Sequence, residues 1–310
     1  MTMLLRPLPT DELASWRSAT HDHLVNVQTA ANTYGREDAE ARAGQLLDQA
    51  VVDGVLAAAH EVWQVCDDND VVGSVWVAAV HDDPSTGRLM SLRIDPAAVP
   101  HVWRLLQSAY ADRWKALSFT AFRGDDVMAA LVDTSHPTLI ATGMQSRVDD
   151  AIEAVAHVDL RPMTPPRFRE FIEHSVEHYA AEILAAGAFA TAESAHANAV
   201  ESFEQLLPGG LQTPGQLVWS AYDGGHEVGI LWVALKADRG FIYDIEVGEQ
   251  FRRRGYATAI LAAGAREVRT SGHEYLDLNV WGPNTGAKSV YDRAGYITTV
   301  ESFQASLGGH

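Results

Sequence analysis

The chain has 310 residues, 47% hydrophobic and 21% charged, with 41 Asp and Glu against 23 Lys and Arg for a formal net charge of −18. Such a length predicts two domains. The acidity excludes generic binding to nucleic acid or to an anionic membrane, both of which need basic surface, while it suits a cationic substrate.

One cysteine, Cys66, leaves no intrachain disulfide and fits a reducing, cytoplasmic setting. The start, MTMLLRPLPTDEL, carries no apolar leader core, and no run reaches the length that spans a bilayer.

In chain order, the first informative stretch is WQVCDDNDVVGSVWVA at 63–78, which reads as a hairpin with polar turn residues. It returns at 219–234 as WSAYDGGHEVGILWVA, with Trp63/Trp219, Val72/Val228, Gly73/Gly229 and Trp76/Trp232 in register. Arg6-Pro7-Leu8 is echoed by Arg161-Pro162-Met163. The period is too long for a solenoid and predicts a duplicated domain, 1–150 and 156–310, with the boundary within 148–160. In the second copy, helical patterns at 167–187 and 190–207 precede the hairpin. A strand FIYDIEV, a loop FRRRGYAT, a helix from 257, a strand YLDLNV, a helix NTGAKSVYDRAG and a strand YITTVESF come after it. The order β-α-α-β-β-β-α-β-α-β is that of an α/β domain.

The loop poses the chemical question. Arg252, Arg253 and Arg254 stand before Gly255 and open directly into an apolar helix. A helix start has unpaired N–H groups and partial positive charge, small residues let an anion approach them, and arginines add charge-assisted bonds. The loop is therefore a competent diphosphate site, and it is neither a Walker loop nor a dinucleotide fingerprint.

The pattern Arg252-x-x-Gly255-x-Ala257 after a strand ending Ile245-x-Val247 resembles the pyrophosphate loop of the GNAT acyl-CoA N-acyltransferases. NVWGPNTGAKSVYDRAGY, with Asn284, Ala287, Tyr291, Gly295 and Tyr296, resembles that family's second signature. The resemblance covers 160–305 and implies two tandem GNAT-like domains, each a mixed, mostly antiparallel sheet flanked by helices. It implies acetyl-CoA as cosubstrate and no metal.

By the same resemblance, the amides of Arg253, Arg254, Gly255, Tyr256, Ala257 and Thr258 hold the CoA diphosphate. The backbone of Val247 pairs with the pantetheine arm beside Ile245, Asn284 bonds CoA or orders the loop behind it, and Tyr291 protonates the departing thiolate. Strand alternation puts Asp244 and Glu246 on one face and Tyr243, Ile245 and Val247 on the other. Glu246 is the base expected first and Asp244 second. Asn279 stands where some relatives carry a carboxylate.

Three other features have plainer readings. HSVEH at 174–178 matches an inverted zinc-protease pattern, but no third ligand motif accompanies it, and a helix surface beside the acceptor site is the expectation. His21 and His23 read as helix surface, and Cys66 as an inert thiol. The first copy has MSLRIDPAAVPHVWR in place of the loop, with Pro96 and Pro100 where donors and a glycine are needed. It reads as a GNAT-like fold without a CoA site, a layout similar to that of mycothiol synthase. The resulting expectation is an N-acetyltransferase of a small-molecule primary amine acting by direct attack. Protein or peptide N-acetylation and a non-catalytic acyl-CoA sensor are the alternatives, and a homodimer is left open.

Overall fold

The computed structural model describes residues 3–80, 83–149, 152–154, 156–282 and 284–308. The chain forms two compact units, one running to Leu139 and resuming at Thr299, the other Ile140–Thr298.

The first unit begins with β1 (Met3–Pro7), α1 (Leu13–Ala30), α2 (Arg36–Ala50) and a small hairpin, β2 (Val51–Val52) with β3 (Val55–Leu56). It continues through β4 (His60–Asp67), β5 (Asp70–Ala79), β6 (Thr86–Arg93), α3 (Val99–Tyr110), β7 (Ala116–Phe122) and α4 (Asp126–Ser135). Next come β8 (Thr138–Arg147), β9 (Asp159–Pro162), α5 (Pro165–Ala185), α6 (Ala192–Leu206), β10 (Gln216–Asp223), β11 (His226–Leu235) and β12 (Arg239–Val247). The chain ends with α7 (Tyr256–Thr270), β13 (Tyr275–Trp281), α8 (Thr285–Arg293) and β14 (Ile297–Ser306). No helix among the described residues is long and apolar enough to cross a membrane.

Strand order is β1-β4-β5-β6-β7-β14 in the first unit and β8-β13-β12-β11-β10-β9 in the second. The β6–β7 and β12–β13 neighbours are parallel, and the rest within each unit are antiparallel. The unit limits differ from the expected 1–150 and 156–310, because the last strand of each copy completes the other copy's sheet. β8 pairs with β13 from Ala141↔Trp281 to Arg147↔Tyr275, and β14 pairs with β7 from Val300↔Phe122 to Ser306↔Ala116. Packing accounts for the exchange: Phe303 of β14 stacks on Phe119 at 5.5 Å, while Met144 of β8 is buried in the second unit's core. A strand's own pattern says which face is apolar, not which sheet receives it.

The duplication is structural as well as sequential. Trp76 Nε1 donates to His60 Nδ1 at 3.1 Å, and its counterpart Trp232 Nε1 donates to Gln216 Oε1 at 2.7 Å. Trp16 meets Trp76 edge-on at 5.5 Å, as Phe171 meets Trp232 at 6.1 Å. The paired glycines share one cause. A Cβ on Gly73 would lie 2.2 Å from the Arg93 carbonyl oxygen, and one on Gly229 would lie 2.2 Å from that of Glu246.

In the second unit α7 and α8 cover one sheet face over Leu231, Val233, Ile242 and Leu278. On the other face, Phe171 of α5 and Phe203 of α6 pack on Val218, Ile230 and Trp232. The small residues of α7 bring it close to the sheet: a Cβ on Gly264 would fall 2.6 Å from Leu231 Cδ2.

Candidate functional site

The site is built on an irregularity in β12. Opposite β11, Trp232 pairs with Asp244 and Val233 with Ile242, so Tyr243 is an extra residue in the ladder. The bulge corrects the simple alternation expected for IYDIEV. Tyr243 packs with the α5/α6 face, its ring 4.8 Å from Trp232, while Ile245 and Val247 pack on the α7 side. A bulge adds one residue without a partner and shifts the phase of the residues beyond it. Tyr243 therefore shares a face with Asp244 and Glu246 instead of with Ile245 and Val247.

The bulge also opens the sheet. β12 and β13 pair only from Arg239↔Tyr275 to Ile242↔Leu278. Beyond that point no pairing joins Tyr243–Val247 to Asn279–Trp281, and the β12 edge faces an opening between the strands. Exposed strand-edge N–H and C=O groups are a template for an extended ligand.

The opening leads to the arginine loop. Arg252 Nε donates to the Val247 carbonyl at 3.2 Å, and Arg252 also pairs with Glu249 at 3.8 Å. Arg252, Arg253 and Arg254 are all exposed, with the Arg254 guanidinium 6.0 Å from the Phe251 ring. Arg253 has φ +64° and Gly255 φ +86°. Such turns aim successive amides at one point, which suits an anion. Gly255 caps α7 without a side chain on its first amides. In the first unit, by contrast, Asp95 accepts from the Ala97 amide and Pro100 sits in the first turn of α3. Tyr256 turns away from the loop to donate to Asp223 Oδ2 at 2.6 Å, and Ala257 and Thr258 are half-buried in the first turn of α7.

Asn284 caps α8, its Oδ1 accepting from the Ala287 amide at 3.1 Å. Its Nδ2 donates to Glu182 Oε1 on α5 at 2.9 Å. Ala287 packs half-buried on the core. Tyr291 is 8% exposed, and its phenol holds its proton far more firmly than usual, through burial first and then the charges of Glu182 and Asp244. Burial also pushes Asp244 up to about 6. The charges of Glu246 and Glu182 act in the same sense, while the Ser175 hydroxyl and His178 oppose them. Glu246 Oε1 lies 3.2 Å from His174 Nε2.

The structure thus puts Asp244 and Glu246 on the α5 side of the sheet, while Tyr291 of α8 packs in the core on the α7 side, near enough to feel the charges of Asp244 and Glu182. Ile245, Val247, Gly255 and the arginines follow one another along the end of β12 and the loop. Two participants are not legible in the motifs: Glu182, which joins α5 to the α8 cap, and His174 as the partner of Glu246. Their signal is the four-residue spacing of His174, His178 and Glu182, which puts all three on one helix face. Among the described residues no group of three or more His, Cys, Asp or Glu is arranged to hold a metal ion. Cys66 is buried.

A mixed sheet splayed at a bulged strand, beside a helix start that can hold an anion, defines the class as an α/β domain with a candidate anion site. Residues 179–296 match the family model described as Acetyltransferase (GNAT) family. The uncharacterised N-acetyltransferase YycN of Bacillus subtilis is 34% identical over 145 residues, 45% of this chain and 92% of that protein. The mycothiol acetyltransferase of Propionibacterium freudenreichii is 32% identical over 87 residues, 27% of this chain and 28% of that protein. The crystal structure of a GCN5-related N-acetyltransferase from Sphaerobacter thermophilus covers 99% of this chain and 96% of its own, with TM-score 0.52 and 15% identity, a likeness of fold alone. The chain belongs to the GNAT family of acetyltransferases.

Proposed function

We propose that the second unit transfers an acetyl group from acetyl-CoA to a primary amine of a small molecule by direct attack. One observation carries the reading: the open β12 edge runs to the uncapped start of α7 and its arginines. An extended thiol arm bearing a diphosphate fits that path. In this reading the amides of residues 253–258 and the Arg252, Arg253 and Arg254 guanidinium groups hold the diphosphate. The β12 backbone at Ile245 and Val247 pairs with the arm and polarises the thioester carbonyl. Asn284 and Ala287 shape the α8 end of the path. Acetyl-CoA supplies the activated acyl group, and the chain supplies the proton transfers.

A lysine-like amine is mostly protonated at neutral pH, and baring it costs about 4–5 kcal/mol. Of the two carboxylates, Asp244 is the better matched base, since it is pushed up to about 6 and shares its surroundings with Tyr291. Glu246 is tethered to His174 beside it. Tyr291 keeps its proton at working pH and can give it to the departing thiolate. The first unit has the matching bulge and glycine but a self-capped turn instead of the loop, and it takes no part in CoA binding in this reading.

The test is calorimetry of the full chain with acetyl-CoA, then a thiol-release screen across small amines. Saturable binding and amine-dependent release are expected. A chain that does not bind acetyl-CoA would sink the proposal.

A further inference from the structure

α8 is a helix of nine residues held unequally at its two ends. The core fixes its C-terminal end: Ala294 and Tyr296 are buried, and the Tyr296 amide donates to the Tyr291 carbonyl at 3.0 Å. At the other end Thr285 and Gly286 are exposed and Ala287 is half-buried. So short a helix has little stability of its own, and its start depends on the cap.

The cap is one amide with two duties. Asn284 Oδ1 accepts from the Ala287 amide at 3.1 Å, and Asn284 Nδ2 donates to Glu182 Oε1 at 2.9 Å. Turned over, the amide would set its NH2 against the Ala287 N–H and its oxygen against the carboxylate, two repulsive pairs. Glu182 therefore selects the orientation in which Asn284 caps the helix, and its carboxylate makes a stronger bond than a neutral acceptor would. α5 brings Glu182 from the sheet face opposite α8. One turn earlier Tyr179 packs on Trp281 at 6.1 Å, on the stretch of β13 that has no partner in β12. The two helices thus meet beside the opening. Tyr291 stands seven residues beyond Asn284, two turns along the same face of α8.

We propose that Glu182 is a positioning residue for acetyl transfer: through Asn284 it fixes the start of α8, and with it the reach of the Tyr291 phenol to the departing thiolate. This rests on the acetyl-transfer reading. There, the amine nitrogen bonds the acetyl carbon and Asp244 takes the amine proton. As the carbon–sulfur bond breaks, its electron pair leaves with sulfur, which takes the Tyr291 proton, and the tyrosine recovers one from solvent. Glu182 exchanges no proton; it acts through the cap.

The experiment uses the full chain, saturating acetyl-CoA and the best amine from the thiol-release screen, with Glu182→Ala and Glu182→Gln made alone and in the Tyr291→Phe background. Glu182→Ala is expected to lower kcat about tenfold while the acetyl-CoA Kd by calorimetry moves less than about threefold. Glu182→Gln, which keeps an oxygen to accept from Asn284 but carries no charge, is expected to return kcat to within about threefold of the parent. In the Tyr291→Phe background, Glu182→Ala is expected to cost no more than about a further twofold, because the two residues act as one unit. Should Glu182→Ala fail to fold, Glu182→Leu takes its place. An unchanged kcat in Glu182→Ala, a Glu182→Gln as slow as Glu182→Ala, or a full tenfold loss retained beside Tyr291→Phe overturns the proposal and leaves acetyl transfer standing. Absence of acetyl-CoA binding, or binding without transfer to any amine, removes the acetyl-transfer reading and this one together.

Discussion

Asp244→Asn isolates the cost of keeping a carboxylate in the site. The group's ordinary value is 3.8, and burial pushes it up to about 6. A carboxyl whose folded value is raised binds its proton more tightly in the folded state. Its ionised form therefore opposes folding, and stability is lost as pH rises from the unfolded value through the folded one. A rise of about two units corresponds to roughly 3 kcal/mol once pH is well above 6.

Asparagine keeps the shape and removes the charge. The variant is thus expected to be more stable than the parent by about 3 kcal/mol at pH 8 and by about 1 kcal/mol at pH 4.5. Urea unfolding of both proteins across that range measures the difference. Acetyl transfer should fall in the same variant, which would make Asp244 a site residue retained at the expense of stability. A stability difference that stays flat with pH, or that shrinks as pH rises, would refute the reasoning.

The paired glycines give a matched comparison. Gly229→Ala and Gly73→Ala each drive a Cβ into a carbonyl of the next strand, and each should lose about 1–3 kcal/mol in urea unfolding. Only Gly229→Ala, which displaces the end of β12, should also weaken acetyl-CoA binding in calorimetry. Gly255→Val forces a branched side chain to φ +86° and should cost about 1–2 kcal/mol in folding, with a loss of acetyl-CoA affinity beyond tenfold. Tyr291→Phe should lower kcat about tenfold to a hundredfold while leaving the acetyl-CoA Kd near that of the parent. An unchanged kcat would remove the tyrosine from the chemistry.

Much of the site was legible because its requirements are local. Gly255 is needed where the backbone turns left-handed, Asn284 where a helix must be capped, and the arginines where an anion needs charge; each leaves its residue in the sequence. The tandem hairpins were legible for a similar reason, since Gly73 and Gly229 answer the same close approach. The features that stayed hidden depend on partners distant in sequence. The extra residue at Tyr243 is defined against β11, and the bond from Asn284 to Glu182 crosses from α8 to α5. The destination of YITTVESF was unreadable because one amphipathic strand satisfies either of two sheets.

The exchanged end strands decide the order in which the protein can mature during synthesis. The unit that opens the chain needs residues from Thr299 onward to finish its sheet, whereas Ile140–Thr298 has every strand it requires earlier. Translation runs from the N-terminus, so the transferase unit can close while the leading unit still waits with β7 uncovered along one edge. Early termination near the C-terminus, which would spare the arginine loop and Tyr291, would therefore injure the half of the molecule that was made first.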